Sequence, residues 1–72
     1  MSNDLSKMLN KNVVIGLRKG LQYSGKLVSI DNYWNIVLEN AVESVESKLT
    51  AKYGKVILRG NRILYISTME TT

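Results

Sequence analysis

The side chains able to do chemistry gather in two short stretches, Asp31-Asn32-Tyr33-Trp34-Asn35 and Arg59-Gly60-Asn61-Arg62. Neither is equipped for covalent catalysis. The chain has no His and no Cys, and its six Asp and Glu residues are scattered, so no acid–base pair or nucleophile constellation is available. No enzymatic activity is expected. The same absences remove the usual transition-metal ligand sets, and neither a metal nor a cofactor is expected. What the two stretches offer is recognition. Tyrosine and guanidinium planes stack on flat bases, each worth roughly 1–3 kcal/mol. An Asn amide carries one donor and one acceptor, which can match part of a base edge. Arg59 and Arg62 bracket Gly60-Asn61 and put positive charge at one place. Single-stranded RNA presents flat bases, exposed edges and a charged backbone to such a set. Each residue also has a structural use: Tyr33 as a strand aromatic, Asn35 as a turn terminator, the arginines as solvated charges beside a hairpin.

The balance of ten Lys and Arg against six Asp and Glu gives a net charge of +4, compatible with a polyanionic partner. Seventy-two residues make one domain. A chain this short buries only about 60% of its unfolded surface, so its core alone is marginal. With disulfides and metals removed, association is the supplement that remains. Met1 to Leu9 holds no long apolar run and no membrane-spanning segment is present, so an intracellular protein is expected, with no membrane partner.

The elements that must position the two stretches are mostly strands. Ser2-Asn3-Asp4 supplies cap-type residues, and Leu5, Met8 and Leu9 follow at helical spacing, predicting a short helix over about residues 3–10 that lies as a lid on the rest. Val13 to Arg18 reads as a strand, Arg18-Lys19-Gly20 as a turn, and Leu21 to Ile30 as a second strand. Gly16 and Gly25 inside them imply sharp bending. Asp31-Asn32 starts a turn and Trp34 to Glu39 is a third strand. Periodicity leaves Asn40 to Lys52 open between helix and strand; a long bent strand after a short loop fits the neighbouring hairpins better. Val56-Ile57-Leu58 leads to a tight turn at Gly60-Asn61, a pair that tolerates positive φ, and strand five runs from about Arg62 to Ser67, with 68–72 as a tail. The fold class is all-β: a small, strongly bent, five-stranded antiparallel open barrel with a short N-terminal helix. Strands four and five are apolar on both faces. Pairing one molecule's strand five with the next molecule's strand four would cover them, and such a heterologous contact closes into a ring or grows into a filament.

Two segments resemble the two motifs of the Sm/Lsm family. The first, residues 13–43, carries Gly25 and then Asp31-Asn32-Tyr33-Trp34-Asn35-Ile36-Val37-Leu38-Glu39; the second, 54–67, contains Ile57-Leu58-Arg59-Gly60-Asn61. On this resemblance residues 1–72 form a single Sm domain. Gly20-Leu21-Gln22-Tyr23-Ser24-Gly25 and Leu64-Tyr65-Ile66-Ser67-Thr68 are similar to the sixth-paralogue branch of the family, and archaeal Sm-like proteins share the pattern. The bacterial Tyr-Lys-His form of the second motif is absent. The resemblance implies a ring of six to eight subunits, seven most often, built from this chain itself or from paralogous subunits. It implies binding of uridine-rich single-stranded RNA and a scaffolding or chaperone role for ribonucleoproteins in RNA processing, splicing or decay, in cytoplasm and nucleus if the source is eukaryotic. By motif position, Tyr33 stacks on a base, Asn35 reads its edge, and Arg59 stacks from the other side or holds the phosphate. Asp31, Gly60 and Asn61 shape the loops, and Asp31 fixes Asn35. Trp34 departs from the family pattern, where Met is usual, and is expected to pack beneath or beside the loop. The alternative is an SH3-like barrel for protein–protein interaction. It would need a groove of exposed aromatics drawn from Tyr23, Tyr33, Trp34, Tyr53 and Tyr65, most of which fall at core-like positions.

Overall fold

The computed structural model describes residues 5–69. Five antiparallel strands form one sheet: β1 (Asn12–Gly16), β2 (Leu21–Ile30), β3 (Ile36–Val45), β4 (Lys48–Leu58) and β5 (Tyr65–Thr68). Their order across the sheet is β4-β3-β2-β1-β5, which leaves β4 and β5 as the two free edges. Alternation in β1 sends Val13 and Ile15 into the interior. There they join Leu27, Ile36, Leu38, Ala41 and Leu58, all buried, with Met8, Leu9, Tyr23 and Ile63 among the partly buried residues around them.

The sheet bends where β2 and β3 slip register, between Ser24 and Lys26 and again between Leu27 and Ser29. Gly25 sits at the first slip. A Cβ there would lie 2.8 Å from the Glu39 carbonyl oxygen and 3.1 Å from the Ala41 Cα, so the close crossing of two backbones requires the missing side chain. Gly16 serves differently: the Tyr65 ring lies on it, occupying the space a Cβ would take, and the Tyr65 hydroxyl accepts from Gln22 Nε2 at 2.5 Å.

Several expected boundaries move. The stretch 40–52 is neither a helix nor one strand. β3 continues through Asn40 to Val45, Glu46 and Ser47 turn with φ of 51° and 71°, and β4 starts at Lys48. Two consecutive positive φ values are the signature of the tightest hairpin turn. Gly60-Asn61 is not the hairpin it resembles. β4 and β5 lie at opposite edges and do not pair, and a 3-10 turn over Gly60–Arg62 carries the chain between them. Neither Gly60 nor Asn61 has positive φ. The third strand begins at Ile36, not Trp34, because the preceding loop holds Asn35. β1 ends at Gly16 before the turn, and β5 is the short stretch Tyr65–Thr68. At the N-terminus, Leu5–Met8 forms one 3-10 turn, shorter and tighter than the expected helix. It is tied down where Asn10 N–H donates to the Leu27 carbonyl (2.7 Å) and Leu27 N–H to that of Lys11 (2.9 Å). The cap residues Ser2-Asn3-Asp4 and the tail from residue 70 lie outside the described residues.

Candidate nucleic-acid interface

The loop joining β2 to β3 is built on Asp31. Its Oδ1 accepts from the backbone N–H of Tyr33 (2.8 Å) and of Asn35 (3.0 Å), and its Oδ2 accepts from Asn35 Nδ2 (3.1 Å). Its own N–H donates to the Asn35 carbonyl (3.2 Å), and its carbonyl accepts from Trp34 N–H (3.0 Å). A short acidic side chain that collects backbone donors two and four residues on is how Asp organises a turn. The two bonds from Asn35 hold the Asp31 carboxyl below its ordinary range; desolvation opposes them, and the Tyr33 bond and the positive charge of Arg59 add to the lowering. The tight closure drives Trp34 to φ 65°, unusual for so bulky a residue. As a result Tyr33 projects into solvent, 79% exposed, while Trp34 and Asn35 are half-buried.

Asn35 then joins this loop to the turn after β4. Its Oδ1 accepts from Gly60 N–H at 2.9 Å. The amide therefore has one orientation: reversed, it would set NH2 against N–H and carbonyl against carboxylate. One Nδ2 hydrogen and one Oδ1 lone pair remain for a ligand. Gly60 is needed for proximity rather than for φ. A Cβ on it would overlap the Tyr33 carbonyl oxygen and lie 3.0 Å from the Trp34 Cβ.

The two loops enclose an open cavity of ≈ 750 Å³ lined by Tyr33, Trp34, Asn35, Arg59, Gly60 and Asn61, with residues 63–66 as its far wall. Five of the six residues singled out in the sequence thus meet at one pocket, and Asp31 supports it through Asn35. Arg62 does not join them. The apolar wall at 63–66 was legible only as a strand; its share in the pocket depends on the 3-10 turn bringing the start of β5 beside the loop at 31–35. Among the described residues, no three His, Cys, Asp or Glu side chains converge as metal ligands would. No described helix is long and apolar enough to cross a membrane.

The model of the LSM domain family matches residues 3–68. The chain belongs to the LSM domain family. It is 44% identical over 66 residues to the U6 snRNA-associated Sm-like protein LSm6 of Lodderomyces elongisporus, an alignment spanning 92% of this chain and 82% of that protein. Among solved structures it resembles the Sm protein of Pyrococcus abyssii in complex with a uridine heptamer, with a TM-score of 0.86 and 31% identity over 94% of this chain and 100% of that one. It also resembles a heptameric archaeal Sm protein, with a TM-score of 0.83 and 32% identity over 92% and 96% of the two chains. The bent five-stranded sheet is therefore the Sm fold. The SH3-like alternative is not favoured. In this LSM domain the Tyr23 hydroxyl donates to Glu43 (2.6 Å), Tyr53 lies outside the pocket, and Tyr33, Trp34 and Tyr65 share theirs with Arg59 and Asn35.

Proposed function

We propose that this LSM domain, residues 1–72 as one unit, is a subunit of a ring that binds uridine-rich single-stranded RNA, with one base per subunit between the loop 31–35 and the turn after β4. The observation that carries this reading is the Asn35 amide, fixed between Asp31 and Gly60 at the pocket that Tyr33 and Arg59 also line. Tyr33 offers an exposed ring for one face of the base. Arg59 takes the other face or the phosphate. The free Nδ2 hydrogen of Asn35 donates to a uracil carbonyl, and the free Oδ1 lone pair accepts from the uracil ring N–H, a donor that cytosine lacks. Asp31, Gly60 and Asn61 hold the geometry. The role is recognition, with no bond made or broken.

Ring formation follows from the free edges β4 and β5, and seven subunits is the number in the heptameric archaeal relative. The neighbours are copies of this chain or paralogous Sm-like subunits. The ring serves ribonucleoprotein assembly in RNA processing, splicing or decay, inside the cell, and in cytoplasm and nucleus if the source is eukaryotic. Comparison of oligouridylate with oligocytidylate binding, for the parent and Asn35→Ala, tests the reading. The parent prefers uridine; the variant stays folded but melts lower for want of its bonds to Asp31 and Gly60, and loses the preference. A folded Asn35→Ala protein that is equally selective contradicts it.

A further inference from the structure

Arg62 and the Arg18-Lys19-Gly20 turn have no part in the base pocket, yet they share a pocket of their own. A depression of ≈ 420 Å³ is lined by Leu17, Arg18, Leu21, Asn61, Arg62 and Leu64. Asn61 and Leu64 also line the base pocket, so the two are neighbours separated by the turn Gly60–Arg62. That turn divides its two arginines: Arg59 goes to the base pocket and Arg62 to the second.

The second pocket has fixed walls. Leu64 N–H donates to the Gly16 carbonyl (2.8 Å), which sets the turn after β4 beside the turn after β1. Leu17 N–H donates to the Leu21 carbonyl (2.8 Å), closing the Arg18 turn, and Ile63 N–H to that of Gly60 (3.1 Å), closing the other. Lys19 and Gly20 pass through positive φ (62° and 74°), which keeps the Arg18 turn tight. No carboxylate lines this pocket. Glu46 meets the same turn at Gly20 through its backbone N–H (2.9 Å) and is not part of the wall. Two arginines among three leucines, with no acid in the wall, suit a phosphodiester, whose oxygens accept paired N–H donors.

We infer that the Arg18–Arg62 pocket binds a backbone phosphate of the RNA strand whose bases occupy the Tyr33–Asn35–Arg59 pocket. The inference rests on the base-pocket reading and adds to it a phosphate site across the turn, so that one turn grips base and backbone on opposite sides. The site reads charge, not sequence.

The test is binding of labelled oligouridylate as a function of salt, on the assembled protein, with a uridine heptamer and a longer strand. The variants are Arg18→Gln, Arg62→Gln, the double variant and Arg62→Lys, with Arg59→Ala as the base-pocket control. For the heptamer and the longer strand alike, the slope of log K against log salt falls by about 0.7 for each phosphate no longer neutralised, most in the double variant, and Arg62→Lys retains it. Arg59→Ala weakens the heptamer as well. Unchanged slopes in variants that unfold like the parent overturn the phosphate site while leaving the base pocket intact. Unchanged slopes with a smaller assembly mass assign the arginines to contacts between subunits, and overturn it too. A parent assembly that binds neither strand removes the base-pocket reading, and this inference with it.

Discussion

Asn35 has almost no freedom. Its carbonyl is held by one loop and its amino group by the other, so it can only present one face to the pocket. Tyr33 and Arg59 differ from it in being exposed and contributing little to the fold. Substituting either should therefore separate binding from stability. Arg59→Ala and Tyr33→Ala are each expected to weaken oligouridylate binding by about 1–3 kcal/mol per engaged site, by fluorescence anisotropy, with thermal unfolding nearly unchanged. Equal losses for Arg59→Ala and Arg62→Ala on the uridine heptamer would mean a diffuse basic surface. Trp34 is the opposite case. It is half-buried, and its φ of 65° carries strain of about 1–3 kcal/mol that Gly does not pay. Trp34→Ala loses packing and keeps the strain, whereas Trp34→Gly loses packing and relieves it. Thermal denaturation should therefore rank the parent first, Trp34→Gly second and Trp34→Ala last; a Gly variant less stable than the Ala variant would show that position 34 is not left-handed in solution. At this scale the sequence was informative because residue type limits chemistry: no His, no Cys, and Tyr33 and Asn35 within four residues of Asp31. It was silent on why Gly60 must be glycine, since its value is a close approach of two backbones distant in sequence.

The elements show a different balance. β2 was legible from end to end, since its alternation and its turn residues agree. Glu46-Ser47 was not, because hairpin turns with two positive φ values usually carry Asn or Gly, and here neither residue announces the turn. Gly60-Asn61 erred the other way: turn-type residues between apolar runs look like a hairpin, and only the bending of the sheet sends the two runs to opposite edges. The outer half of β2, β3 and β4 is tied by side chains. Glu43 accepts from the Tyr23 hydroxyl (2.6 Å) and from the Thr50 hydroxyl (2.8 Å), one residue from each of three strands. The bond to Glu43, then burial and the carboxylate charge, raise the Tyr23 pKa from its ordinary 10.0 to about 12. The sign follows directly: a hydroxyl that keeps its proton longer when folded stabilises fully below pH 10 and loses that contribution as pH rises from 10 towards 12. Tyr23→Phe should flatten the alkaline fall in melting temperature over that window. An identical fall in parent and variant would show that the tie does not persist in solution.

As a whole molecule the chain is incomplete at its edges. β4 exposes Leu49 (61%), Tyr53 and Ile57 (69%), and Leu64 (62%) and Tyr65 are exposed where β5 begins. Apolar edge strands of this kind either pair or aggregate. A neighbour's β5 against β4 would cover both sets, as the proposed ring requires. One measurement bears on this most directly: the mass of the native species in solution, by native mass spectrometry or light scattering, with and without oligouridylate, for this chain alone and mixed with its paralogues. The expected result is a closed species several times the 8.1 kDa chain that gains the mass of the bound oligonucleotide. A stable, soluble 8.1 kDa monomer at high concentration, unchanged by oligouridylate or by paralogues, would contradict the ring and the RNA site together.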